Sequence, residues 1–152
     1  MTRRHSRRSV LAMTAASLVA GLAEQPRAQR REDAIAQPSR PGPAAFAARA
    51  SDMRRLAIER GDQAFGAVVV KDGRIVGEGV SAVVTDRDPT AHAEMQAIRD
   101  AARRLGTSDL SGCELYGTSR ACPMCASAAY WARVSRMFHG DGPTDDGSPR
   151  LC

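Results

Sequence analysis

Two short stretches hold the side chains that could do chemistry. Thr90-Ala91-His92-Ala93-Glu94 carries a histidine with a glutamate two residues on, and Ala121-Cys122-Pro123-Met124-Cys125 carries two cysteines at i, i+3. Imidazole nitrogen and thiolate sulfur are donors that zinc accepts, and three such ligands leave the fourth position of a tetrahedral ion open to water. A water bound there ionises near neutral pH and becomes a usable nucleophile. A carboxylate beside it can take that proton and pass it on, which is the work Glu94 would do. A closed structural site needs a fourth protein ligand. The other histidines, His5 and His139, stand near the N-terminus and in a late strand, and neither is placed to supply it. Each half alone is a weak signal, since C-x-x-C also serves redox pairs and structural zinc knots. Together, each at the start of an expected helix, they read as one open metal site.

The rest of the composition narrows the class. At 152 residues the chain is one domain by length. Its net charge of +5 suggests a nucleic-acid footprint until it is placed along the chain. Arg3, Arg4, Arg7, Arg8, Arg27 and Glu24 all precede residue 29, so five of the 22 basic and one of the 17 acidic residues go with that segment, leaving 17 against 16. A basic surface for RNA or DNA is not supported. Residues 1–28 read as an export signal: a positive run from Arg3 to Arg8, then an apolar stretch of 13 residues, Val10 to Leu22, too short to span a bilayer comfortably. Ser6-Arg7-Arg8-Ser9-Val10-Leu11 resembles the twin-arginine signal, with Val10 where phenylalanine is usual. That predicts a periplasmic or secreted protein with no stable membrane association after cleavage, at Ala28 or Ala23. Because this route exports folded proteins, the metal could be loaded before the thiols meet an oxidising compartment. Cys113 and Cys152 are expected to stay unpaired.

The elements that must position the ligands follow from patterning. Residues 29–43 are polar and rich in Arg, Gln and Pro, as in a flexible linker. A helix is expected from Ala44 to Arg60, with Phe46, Ala50, Met53, Leu56 and Ala57 on one stripe and Gly61 ending it. Phe65 to Val70 and Ile75 to Ser81 read as strands joined at Lys71-Asp72-Gly73-Arg74. Thr90 is placed to cap a second helix, Ala91 to Leu105, with His92 and Glu94 in its first turn. A strand around Leu115-Tyr116 leads to a third helix from Cys122 to Arg133, with Pro123 in its first turn. Both thiols would there be favoured as thiolates by the helix dipole. Val134 to His139 makes a fourth strand, and residues 141–152 are expected to form no regular structure. The order α-β-β-α-β-α-β implies a three-layer α/β/α sandwich over residues 44–140, short at its C-terminus. Its last strands should be parallel, and both ligand-bearing helices should lie on one face.

With those residues in place, the chain resembles the cytidine and deoxycytidylate deaminase superfamily, over roughly Phe65 to Gly140. Phe65 to Gly73 looks like its first hairpin, Asp88 to Glu94 like its first catalytic helix, and Cys122 to Cys125 like its second. Within it the likeness is greatest to bacterial guanine deaminases, because Cys-Pro-Met-Cys is followed by Tyr130-Trp131-Ala132-Arg133. The resemblance implies that His92, Cys122 and Cys125 bind Zn2+ and that Glu94 shuttles protons. It implies that Phe65 lines the base pocket and that Ala93 offers its backbone N–H to the base. Tyr130 and Trp131 would serve packing and dimer contact in a homodimer. Three departures stand out. Ser81 occupies the place of an asparagine that contacts the base, Arg120-Ala121 replaces Glu-Pro before the first cysteine, and the family continues further past the fourth strand. Asp145 or Asp146 is a candidate acidic base contact, with a solvated acidic loop as the alternative.

Two readings follow. One is a zinc hydrolase that removes an exocyclic amine from a free nucleobase or nucleoside, guanine first, with no nucleic-acid partner. The other is a catalytically degenerate deaminase fold that keeps zinc for structure or binding. Retention of Glu94 favours catalysis, whereas Ser81 and the short C-terminal region favour the second reading.

Overall fold

The structure is a computed structural model, and it describes residues 34–151. The expected export signal, the first part of the linker and Cys152 lie outside the described residues. Eight elements follow in order: α1 (Pro43–Glu59), β1 (Gly66–Lys71), β2 (Arg74–Val80), α2 (Ala93–Leu105), β3 (Cys113–Gly117), α3 (Pro123–Trp131), β4 (Arg136–His139) and β5 (Thr144–Gly147). Among the described residues no helix is long and apolar enough to cross a membrane.

The strands form one mixed sheet in the order β2-β1-β3-β4-β5. β1 is antiparallel to both β2 and β3, while β3 and β4 are parallel, as the intervening α3 requires. The β1–β2 hairpin turns through Asp72 (φ 50°) and Gly73 (φ 73°). Two consecutive positive φ values match the twist of the flanking strands, and Asp-Gly suits them. Two apolar layers then form on opposite faces of the sheet. Phe46 and Met53 of α1 pack with Val68, Val70, Ile75 and Tyr116. On the other face Ala93, Ala97 and Ala101 of α2 and Ala129 of α3 pack with Ala67, Val69, Leu115 and Met137. The three-layer α/β/α sandwich is therefore present, with both ligand-bearing helices on one face.

Three local expectations are corrected. Ile35 and Gln37, inside the expected linker, dock on the fold: Gln37 Nε2 donates to the Ile75 carbonyl and its Oε1 accepts from the Ile75 N–H, both at 2.8 Å. Ile35 packs on the α1 face. Thr90 does not cap α2, because its hydroxyl and N–H both donate to Asp88 Oδ1 at 2.7 Å; the N-cap residue is His92. The tail is not wholly irregular, since Thr144–Gly147 adds a fifth strand, antiparallel to β4. Gly and Asp in that stretch argued for a loop, but an open edge on β4 supplied pairing partners that local propensity does not register.

The register of α2 on the sheet depends on small residues. A Cβ placed on Gly79 would lie 1.9 Å from the Ala93 carbonyl oxygen and 2.5 Å from the Ala97 nitrogen. One on Gly77 would lie 2.6 Å from both Ala97 O and Ala101 N. Backbone therefore meets backbone there, and α2 cannot retreat without moving His92 and Glu94. Gly79→Ala is expected to cost about 3 kcal/mol or more, read as a lowered midpoint in urea. A variant as stable as the wild type would show that α2 is free to shift.

Candidate metal centre

Both ligand-bearing helices open on a ligand. His92 is the N-cap of α2 with extended backbone (φ −63°, ψ 152°), and Cys122 is the N-cap of α3 in the same conformation (φ −70°, ψ 168°). Ordinary N-cap residues turn their side chains back onto the helix N–H groups. Neither of these makes that bond, and both side chains are directed toward the shared site. Pro123 sits in the first turn of α3, where a missing N–H costs nothing.

The geometry fits a metal. The His92, Cys122 and Cys125 donor atoms all lie within 4.8 Å of one another. His92 Nδ1 is 3.7 Å from each of the Cys122 and Cys125 sulfurs. Tetrahedral zinc with its usual bond lengths separates nitrogen from sulfur by about 3.6 Å. The donor set and its spacing thus suit zinc with one position left over.

Glu94 follows in the first turn of α2 and is 6% exposed. Its Oε2 lies 3.6 Å from the Cys125 sulfur. Burial raises the Glu94 carboxyl above the usual carboxylate range, against hydrogen bonds from its own N–H and from Cys125 and the charge of His92. A carboxyl moved upward is better matched to giving and taking protons near neutrality. Burial also pushes the Cys125 thiol well up, and the Glu94 charge adds to the shift. At Cys125 burial thus opposes the help that the helix start gives to the thiolate. A bound cation favours the deprotonated ligand.

The remaining predicted site residues are placed as follows. Ala93 is buried at the first helical position, where the N–H has no acceptor within its own helix. Phe65 is 41% exposed just before β1, and its carbonyl accepts from the Ser81 N–H. Ser81 is buried, and its hydroxyl donates to Asp62 Oδ1 at 2.8 Å. With its one proton committed, Ser81 has only lone pairs to offer another group. Tyr130 and Trp131 are exposed and meet edge to face at 5.5 Å. Asp145 pairs with Arg136 at 3.0 Å. Asp146 lines a narrow gap together with Glu94, Gly117 and Ala121.

These donors and this fold recur in known proteins. Residues 43–141 match the family described as the cytidine and deoxycytidylate deaminase zinc-binding region. The chain belongs to that family. Zinc is accordingly the metal that His92, Cys122 and Cys125 would hold. The chain is 52% identical over 81 residues to a guanine deaminase of Bacillus subtilis, covering 53% of this chain and 52% of that protein. It is 46% identical over 84 residues to a tRNA-specific adenosine deaminase of Aquifex aeolicus, covering 55% and 56%. The solved structure of the Bacillus subtilis guanine deaminase superposes with a TM-score of 0.60 at 46% identity, covering 62% of this chain and 61% of that one. The chain thus spans about half the length of these two curated relatives.

One anchor of the loop that leads to the metal centre escaped sequence reasoning. Asp62 accepts from the Gln63 N–H, the Ser81 hydroxyl, the Val84 and Thr85 N–H groups and the Thr85 hydroxyl, at 2.8–3.0 Å. It gathers the loop that leads from β2 toward His92. The only signal available was an Asp directly after the helix-ending Gly61, which is common in any turn.

Two outcomes are expected. His92→Ala and Cys125→Ser each weaken zinc binding by at least about tenfold, measured by chelator competition; unchanged affinity would remove that residue from the ligand set. At Asp62, desolvation opposes the charge, but the hydrogen bonds from Thr85, Gln63 and Ser81 hold the carboxyl well below its ordinary value. Its stabilisation is therefore complete above the unfolded value near ~3.9 and fades as pH falls below it. Asp62→Ala lowers Tm at neutral pH, and the gap to wild type narrows as pH falls from about 5 to about 3. A gap that does not change with pH would contradict this account of Asp62.

Proposed function

We propose that this chain is a hydrolytic deaminase that releases ammonia from the exocyclic amine of a free nucleobase or nucleoside, with guanine the first candidate. The observation that carries the reading is Glu94. It is buried, displaced upward in pKa, and 3.6 Å from one ligand sulfur. A site that held zinc only for structure would have no use for a buried carboxyl beside its ligands, which is costly to keep. Bound zinc supplies acidification of a water to near neutral pH. Glu94 would receive that proton and deliver it to the ring nitrogen and then to the departing amine. The free N–H at Ala93 is a donor suited to a base carbonyl, and Phe65 offers an exposed ring for stacking. Water and guanine become xanthine and ammonia, so the step is balanced without a further reactant.

The preference for guanine is supported by the 52% identity to a guanine deaminase and by near-equal basic and acidic counts after residue 28. A second reading, adenosine within tRNA, is supported by the 46% identity to a tRNA-specific adenosine deaminase. The zinc-loaded chain is to be assayed for ammonia release from guanine, adenosine, cytosine, cytidine and tRNA. Guanine is expected to react fastest. Glu94→Gln is expected to lower that rate by roughly 10²–10⁴-fold with zinc content unchanged. Zinc-loaded protein that releases ammonia from none of them would end the enzymatic reading, and tRNA alone as substrate would select the second.

A further inference from the structure

The loop that delivers Cys122 is tied to the far end of the chain. Arg120 stands two residues before that ligand, and its guanidinium reaches β5: Nε lies 3.0 Å and Nη2 2.9 Å from Asp146 Oδ1. The second oxygen, Oδ2, lies 2.7 Å from His139 Nδ1 at the end of β4. A single carboxylate thus joins the β3–α3 loop to the last two strands. The Asp146 side chain is 14% exposed and that of Arg120 76% exposed. The carboxylate is the fixed member and the guanidinium the one held.

A bulge aims Asp146 at this task. Phe138 pairs with Asp145 and Met137 with Gly147, so Asp146 is the extra residue between two paired positions. Bulges locally break the alternation of a strand and re-aim a side chain. Here Asp145 is free to meet Arg136 while its neighbour turns to Arg120 and His139. Asp146 also borders the narrow gap lined by Glu94, Gly117, Ser119 and Ala121, so the clamp lies against the centre. The start of the same loop is held by Thr118, whose N–H donates to the Gly66 carbonyl and whose hydroxyl accepts from the Gly66 N–H.

We propose that Asp146 is a positioning residue of the metal centre, acting through Arg120. By clamping that guanidinium against His139 it fixes the exit of the loop, and so keeps the Cys122 sulfur at coordinating distance from His92 Nδ1. The inference concerns metal affinity and holds whatever base is the substrate.

The test measures zinc affinity of the full chain by chelator competition, and the thiolate-to-metal charge-transfer band after cobalt(II) loading. Asp146→Asn and Arg120→Ala are each expected to weaken zinc binding about tenfold and to reduce the cobalt band. The double variant is expected to be no weaker than the worse single one, because both act along one route. Asp146→Glu, which keeps the charge, is expected to recover part of the loss. Wild-type affinity in both single variants, or losses that add in the double variant, would overturn the proposal. Should Asp146→Asn fail to fold, the exposed Arg120→Ala decides alone, by the same two measurements. No ammonia is measured, so the result is independent of the deaminase activity.

Discussion

The centre rests on a close approach of backbones. Three donor atoms can share one ion only if the starts of α2 and α3 are brought together, and both helices are held on the same sheet face. For α2 the contact is glycine against alanine: Gly77 and Gly79 of β2 lie under Ala93, Ala97 and Ala101. No side chain intervenes that could adjust to a small displacement. A shift of a single ångström there would carry His92 with it, and zinc bonds tolerate deviations of only a few tenths of an ångström. The rigidity of the sheet contact is what makes the ligand geometry reproducible.

Electrostatics then divides the labour between protein and metal. Cys125 and Glu94 are both buried and both raised in pKa, chiefly by burial, and the Glu94 charge adds to the shift at Cys125. Two negative groups in such a place repel, and burial penalises both charges. A dication beside them reverses that balance, so metal binding favours the ionised Cys125 ligand. The same burial raises the Glu94 carboxyl above the usual carboxylate range. One physical cause, desolvation, thus tunes ligand and proton carrier together.

The last strand, β5, supplies a partner for Arg120, where the resemblance leads one to expect Glu-Pro in place of Arg120-Ala121. Taken alone, the arginine places a positive charge close to a cation site. In the fold that charge faces Asp146, and the acidic residue is itself held by His139. The arginine and its partner lie 26 residues apart. Ser81 is a parallel case: its hydroxyl is engaged by Asp62, 19 residues earlier, which explains how a buried hydroxyl is accommodated.

The donors, their spacing and the helix starts that carry them were all legible in the sequence, because such features are local. An i, i+3 cysteine pair and a histidine before an acidic first turn obey rules of a few residues. So do the Asp-Gly hairpin, the α1 stripe and the parallel β3–β4 pair implied by a helix between two strands. Tertiary structure alone decided which carboxylate engages Ser81 and Arg120, that the Gln37 side chain bonds to Ile75, and that β5 joins the sheet. Those outcomes depend on groups distant in the chain meeting at an edge or in a bulge, and on how much water is excluded around them. Neither quantity is a function of residue type at a given spacing. That is why the ligands could be named from the sequence, whereas the supports that hold them, and the burial that raises the Cys125 thiol, could not.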